Sequence, residues 1–260
     1  MTRDKFRSVM ERRGISYDEH EVFDAPISKL LTRIDGNYKT AKGLKRGYAT
    51  AILHLSPSTR SGLQTCPKAT KGCAAACLNT AGHGGMFKRG EDDNAVQKAR
   101  RRKTHWFFTR RVEFMARLDR EIQNHVALCE SKGLVPAVRL NGTSDIRWET
   151  VKDKAGLTVF DRHPEVIFYD YTKIPDRDVS DIPNYSLTFS LAESNDSDAR
   201  KALRRGINVA AVFHSRPKTF LSHTVIDGDE SDLRFLDAKG VIVGLTAKGL
   251  AKQDKSGFVR

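Results

Sequence analysis

Thiols are scarce in this chain: 260 residues contain four cysteines. A secreted scaffold held by disulfides would carry more of them, so these are expected to stay reduced and to serve as ligands or catalytic groups. No run of about 20 apolar residues occurs and no signal peptide opens the sequence, so a cytoplasmic protein with no membrane partner is expected. Internal repeats and low-complexity segments are lacking. There is no G-x-S-x-G elbow, and the eight histidines are scattered, which leaves little footing for Ser-His-Asp catalysis. The segment 35–47 is rich in glycine and positive charge, with Lys39, Lys42, Lys45 and Arg46, but it lacks the Walker pattern of a phosphate loop. Acidic residues are in deficit, 32 against 45 Lys plus Arg, for a net charge of +13. That excess points to a polyanionic partner, nucleic acid (DNA or RNA) ahead of an anionic membrane.

The cysteines that are present cluster. Cys66, Cys73 and Cys77 fall within twelve residues, inside a stretch, 56–85, punctuated by Pro57, Gly62, Pro67, Gly72, Gly82, Gly84 and Gly85. This composition predicts an ordered loop. A β-like run, Tyr48 to Leu55, feeds it and a helix follows. Three soft thiolates there can hold a metal or a cluster with one position left open.

Residues 1–36 read as an accessory segment, either a helix or a mobile arm, and 37–260 as one domain. The pattern after the cysteine loop predicts a long helix from about Asp93 to Ser131. Its apolar stripe is Phe107, Phe114, Leu118, Ile122, Val126 and Cys129. Cys129 on that stripe is expected to be a small buried hydrophobe. The first half of the helix carries Arg100, Arg101, Arg102, Lys103, Arg110 and Arg111 around Trp106, Phe107 and Phe108. A basic face beside aromatics suits a polynucleotide backbone.

Beyond Gly133 short apolar runs recur at 135–140, 166–169, 185–191, 207–213 and 241–245, with a further run at 224–226. Helix-compatible or polar stretches separate them, including 147–160 and 197–205. Such runs predict a parallel sheet covered on both faces. With the run near residue 50 they number six or seven, which suits an α/β fold built as a complete or partial (β/α) barrel. Polar residues crowd the strand ends, where such folds keep their chemistry. Asp145, Asp170, Glu193 and Asp227 are the candidate catalytic carboxylates. Arg139, Asn141, Ser144, Tyr171 and Lys248 are candidates for orienting a cofactor or substrate.

The runs CPKATKGCAAACLNTAGHGGMFK, AVRLNGTSDIRWE, FYDYTKIPDR, LTFSLAES and VIDGDESDLRFLDAKGVIVGLTAKG resemble a phage family named for mycobacteriophage gene product 88, from about Asn37 to the carboxyl end. The resemblance implies a phage or prophage origin, hence the cytoplasm of a host cell and a task directed at nucleic acid. It also implies that the three cysteines are shared, while arginine often stands at the position of His83.

At fold level, a cysteine-triplet loop after the first strand of a partial barrel is similar to radical S-adenosylmethionine enzymes, whose [4Fe–4S] cluster keeps one iron open for the cofactor. The spacing here, CxxxxxxCxxxC, departs from their usual CxxxCxxC. The leading expectation is an iron–sulfur enzyme that modifies a base or nucleotide with S-adenosylmethionine as cofactor. A second is a base-exchange enzyme resembling the deazaguanine DNA transglycosylases. There Asp145, Asp170 or Asp227 would be the nucleophile, and zinc would sit on Cys66, Cys73, Cys77 and His83. A third is a non-catalytic nucleic-acid-binding protein stapled by its metal.

Overall fold

A computed structural model of the chain describes residues 1–25, 27–36, 38–80, 82–86 and 94–260; the side chains of Tyr38, Lys39 and His83 fall outside the description. Eight strands form one sheet: β1 (Tyr48–Ile52), β2 (Val135–Arg139), β3 (Ile167–Thr172), β4 (Tyr185–Ser190), β5 (Val209–Phe213), β6 (Thr219–Phe220), β7 (His223–Asp227) and β8 (Ile242–Thr246). Their order is β1-β2-β3-β4-β5-β8-β7-β6. Every pairing is parallel except the β6–β7 hairpin. Among the described residues no ladder joins β1 to the far edge, so the sheet is not closed by hydrogen bonds. The predicted runs thus become parallel strands of an α/β fold, and only the two-residue β6 went unforeseen.

Helices α1 (Arg3–Arg12), α2 (Glu19–Phe23), α3 (Tyr38–Leu44), α4 (Lys71–Ala75), α5 (Ala95–Thr109), α6 (Arg111–Glu130), α7 (Val159–Arg162) and α8 (Asp196–Arg204) complete the fold. Side chains alternate between the two faces of each strand. One face of β1 to β3 presents Ala51, Leu53, Val138, Leu140 and Phe168. These pack on Phe107 of α5 and on Phe114, Leu118 and Ile122 of α6. Each Leu, Ile or Phe buried there contributes about 1.5–3 kcal/mol through lost water contact. A second core joins Phe189, Val209, Phe213 and Ile242 to Ala199 and Leu203 of α8.

The other face is polar: Thr50, Arg139, Tyr169 and Tyr171 follow the opposite register. The connection from β7 to β8 reaches over to it. Phe235 sits edge-on to Tyr48 (5.2 Å) and to Tyr169 (5.1 Å), and Lys42 Nζ donates to the Asp229 carbonyl at 3.1 Å.

Two expectations need correction. The single helix expected from Asp93 to Ser131 is two. Arg110 leaves helical geometry at φ −129°, ψ 57°, and Asp93 lies outside the described residues. The break lets the rings of Phe107 and Trp106 meet Phe114 edge-on at 5.3 and 5.4 Å, an arrangement that aromatic pairs favour. The helix-compatible stretch 147–160 is mostly irregular, with a 3-10 turn at Trp148–Thr150 and α7 beginning at Val159. Asp153 there accepts from the amides of Ala155 and Leu157, and Gly156 has φ +77°, a local turn that outcompetes a helix. Of the two readings of the first residues, the helical one applies. Phe6, Met10, Val22 and Phe23 bury together with Leu63 of the cysteine loop. Gly62 lies so close under Met10 that a Cβ would stand 2.4 Å from its sulfur.

Candidate functional site

The cysteine loop lies over the carboxyl ends of the strands, and α4 within it is seated by a strand-end carboxylate. Thr70 caps α4 by accepting from Cys73 N at 3.2 Å. Glu193, just past β4, accepts from Thr70 Oγ1 at 2.6 Å and from Gly72 N at 2.7 Å. Burial works against its charge, but those bonds pull its pKa below the usual glutamate range. Gly72 is required by contact: a Cβ would stand 2.2 Å from Ser256 Oγ and 2.9 Å from the Glu193 carboxyl. Glu193 is therefore a clamp on the loop.

All three loop cysteines are half-buried free thiols. Cys66 Sγ accepts from Ser58 N at 3.3 Å and lies 3.8 Å from the Thr143 carbonyl. Cys77 Sγ accepts from Asn79 N at 3.5 Å. Cys73 packs against the small-residue core around Ala192 and Ala247. Cys77 stands within reach of the charge of both Cys66 and Cys73. Burial pushes the Cys66 thiol up to about 11, against the pull of the Ser58 and Thr65 bonds, and raises Cys77 as well.

Cations surround this sulfur group. Arg60 and Lys173 both draw Cys77 toward its ionised form. Arg100 donates to Asn79 Oδ1 at 2.7 Å and to the Asn79 carbonyl at 3.2 Å. Burial lowers its pKa, and the one charge found to oppose that effect is Cys77. Thiolates or a negatively charged cluster would complement this setting. Among the described residues, however, no three His, Cys, Asp or Glu side chains converge closely enough to hold a metal ion.

The remaining predicted residues fall into three groups. The first is knitted around Arg177, whose side chain is 1% exposed. Arg177 meets Asp145 at 3.1 Å and Glu149 at 2.7 Å. Asp145 also accepts from Lys173 N at 2.7 Å, and burial raises its pKa. Asn141 Oδ1 accepts from Ser144 Oγ, Ile146 N and Trp148 Nε1, and Asp170 accepts from Asn141 N at 2.9 Å and from the Tyr185 phenol Oη at 3.2 Å. Burial lifts the Asp170 carboxyl to about 6. Asp170 shares the helix-covered register of Phe168, so this carboxylate organises loops beneath the site.

The second group lies on the polar face. Arg139 pairs with Asp232 at 2.8 Å, its guanidinium 5.0 Å from the Tyr171 ring, and Tyr169 donates to the same Asp232 oxygen at 3.5 Å. Burial also raises the Tyr171 phenol. The third group, at the β7–β8 edge, is spoken for by exposed ion pairs: Asp227 with Arg216 at 2.7 Å, and Lys248 with Asp229 at 2.6 Å. Asp227 and Lys248 are thus not brought together with the other candidates.

The basic stretch is largely turned to internal use. Besides Arg100, Lys103 donates to the Leu30 carbonyl at 2.9 Å. Arg111 donates to the Phe107 carbonyl, its guanidinium 3.6 Å from that ring. Arg110 lies 3.7 Å from Glu113 and faces Trp106. Arg101 and Arg102 are half-buried. Arg177, Glu149 and Asp232 escaped sequence reasoning. Asp232 lies in a recognisable acidic run, but nothing local marks it as the partner of Arg139. The expected fourth zinc ligand, His83, has its side chain outside the described residues.

A family described as Gene product 88 matches residues 29–260. No curated protein and no solved structure matches the chain. Among the described residues no helix is long and apolar enough to cross a membrane.

Proposed function

The chain belongs to the Gene product 88 family, and from its site we propose that it is an iron–sulfur enzyme that modifies a nucleic-acid base or nucleotide. The observation that carries this reading is the setting of Cys66, Cys73 and Cys77. They are three free thiols at the strand ends, with backbone N–H groups on two sulfurs and with Arg60, Arg100 and Lys173 around them. A single zinc needs every sulfur about 2.3 Å from one point, and the described side chains do not converge that way. A cluster binds each thiolate through a different iron, so it tolerates a wider triangle. When bound, it would supply one-electron chemistry and an open iron for an external ligand such as S-adenosylmethionine.

The protein's own part is to seat and orient. Glu193 holds the helix bearing Cys73, and the polar face of Arg139 and Tyr171 lies below for cofactor or substrate. A partial-barrel reading agrees with six neighbouring parallel strands in sequence order (β1 to β5, then β8) and with the β7–β8 connection reaching the β1 side. A nucleic-acid substrate agrees with the net charge of +13. The zinc-dependent base-exchange reading draws less support, because Asp145, Asp170 and Asp227 are each already engaged by hydrogen bonds or ion pairs.

The test is iron and acid-labile sulfide analysis of protein purified without oxygen. About four irons per chain, with absorbance near 400 nm that disappears when any of the three cysteines is changed to alanine, is expected. Stoichiometric zinc without sulfide would overturn the proposal in favour of base exchange. A metal-free protein that still binds nucleic acid would point to a non-catalytic binding role.

A further inference from the structure

At the exit of β1 an imidazole stands among cations that few anions answer. His54 continues the polar-face register of Thr50 and Ile52. Its backbone is clamped on one side by the exit of β2: Leu53 N donates to the Arg139 carbonyl at 2.8 Å, and Gly142 N donates to the Leu53 carbonyl at 3.0 Å. On the other side α5 closes in, with Thr104 Oγ1 accepting from Ser56 N at 2.8 Å. Gly142 is pressed so close that a Cβ there would stand 2.6 Å from His54 Nδ1.

The polar atoms gathered here lack partners. His54 Nδ1, Arg100 Nε and Arg139 Nε are all buried without a hydrogen bond among the described residues. Of the three cations whose charge reaches His54, namely Arg100, Arg139 and Lys103, only Arg139 has a carboxylate in ion-pair contact among the described residues. Lys103 bonds to a carbonyl, and the acid whose charge reaches it, Glu121, is already committed to Arg117 and to the amides of Leu30 and Leu31. Burial first, then those three charges, hold the imidazole neutral, its pKa pushed down to about 3. An acidic side chain would relieve this arrangement, yet among the described residues no carboxylate pairs with Arg100, and Cys77 is the one group whose charge favours it.

We propose that His54, Arg100, Lys103 and Arg139 form an oxyanion site that takes the phosphate of a nucleotide. Arginine and lysine supply charge-assisted bonds to phosphate oxygens, and an imidazole that stays neutral offers an N–H donor without adding a fourth charge. The site deepens the function proposed above by naming the group the substrate presents, and it rests on that reading for the choice of phosphate over carboxylate.

The test uses the full chain, both as purified without oxygen and after metal removal. Binding of inorganic phosphate, adenosine monophosphate and acetate is measured by calorimetry, and melting temperature is compared in phosphate and in chloride of equal ionic strength. Phosphate and adenosine monophosphate are expected to bind and to raise the melting temperature. Arg100→Gln should weaken that binding by about tenfold or more, the worth of one charged hydrogen bond, while Arg100→Lys retains most of it. Gly142→Ala, which displaces the His54 ring with every charge in place, should weaken it too.

Absence of phosphate binding in the unaltered protein would overturn the proposal, as would equal binding by acetate or by the Arg100→Gln chain. The two proposals fail separately. Iron-free protein that binds phosphate sinks the cluster and keeps this site, and iron-loaded protein that ignores phosphate does the reverse.

Discussion

Arg139 Nη1 donates to Asp232 Oδ2 at 2.8 Å, with both side chains almost wholly covered, and so ties β2 to the connection between β7 and β8. Ninety-three positions of chain separate the two residues. The same carboxylate also receives the Tyr169 hydroxyl of β3 at 3.5 Å, so the tie reaches two neighbouring strands.

Breaking that pair from one side should be costly. Asp232→Ala leaves the Arg139 charge buried and unanswered, and a loss of about 3–5 kcal/mol is expected in urea unfolding. Replacing both partners, Arg139→Met with Asp232→Leu, should cost much less because no charge is stranded. A double variant as unstable as the single one would show that the ion pair is not the source of the loss.

Asp170 should leave a signature in the pH dependence of stability. Its folded pKa, about 6, lies above the ordinary aspartate value of 3.8 because of burial. The folded state therefore holds its proton more tightly than the unfolded one. The stabilisation is full below about pH 3.8 and is lost as pH rises toward and through 6. Asp170→Asn, which keeps an acceptor for Asn141 N, should flatten the fall in stability between pH 4 and 6.5 relative to the unaltered chain. Identical slopes in the two proteins would refute this account.

Gly72→Ala is expected to loosen the cysteine loop without touching a thiol. The added methyl meets Ser256 and Glu193, so α4 must shift off its clamp. Retained iron should fall in step with the displacement, while far-ultraviolet circular dichroism stays close to that of the parent. Glu193→Gln, which keeps the shape of the clamp and loses its charge, should give a milder loss.

In metal-free protein the Cys66 thiol, held near 11 by burial, should react with iodoacetamide on the order of a hundredfold more slowly than a free cysteine at pH 7, since only the thiolate attacks. Timed labelling read by peptide mass spectrometry measures it. Fast labelling of Cys66 would mean that the thiol is ionised and that the cations around the loop outweigh its burial.

The strands were legible because a parallel strand covered on both faces must be apolar along its whole length, as Val209 to Phe213 is, whichever register it adopts. Faces were harder to read. Asp170 and Tyr171 are neighbours in sequence and belong to opposite sides of the sheet, so a list of strand-end polar residues mixes two networks with different work. The helix break at Arg110 was invisible to periodicity, since Phe107 and Phe114 keep a seven-residue spacing through it. The basic stretch shows a related limit. A count of arginines cannot say that Arg100 will be claimed by Asn79 or Lys103 by a carbonyl, because those acceptors lie in distant segments. The cysteine cluster, by contrast, was evident from spacing alone. Its clamp was harder to foresee, since it joins Glu193 to a helix 121 positions earlier.

The place of β8 has a consequence for biosynthesis. It lies between β5 and β7, yet it is made after both. Until residues 242–246 leave the ribosome, the hairpin of β6 and β7 has no sheet to join and the open flank of β5 stays bare. The nascent chain therefore carries an unzipped seam from the completion of β5 until β8 emerges, and the joining of the β6–β7 hairpin to the sheet waits on that single late strand.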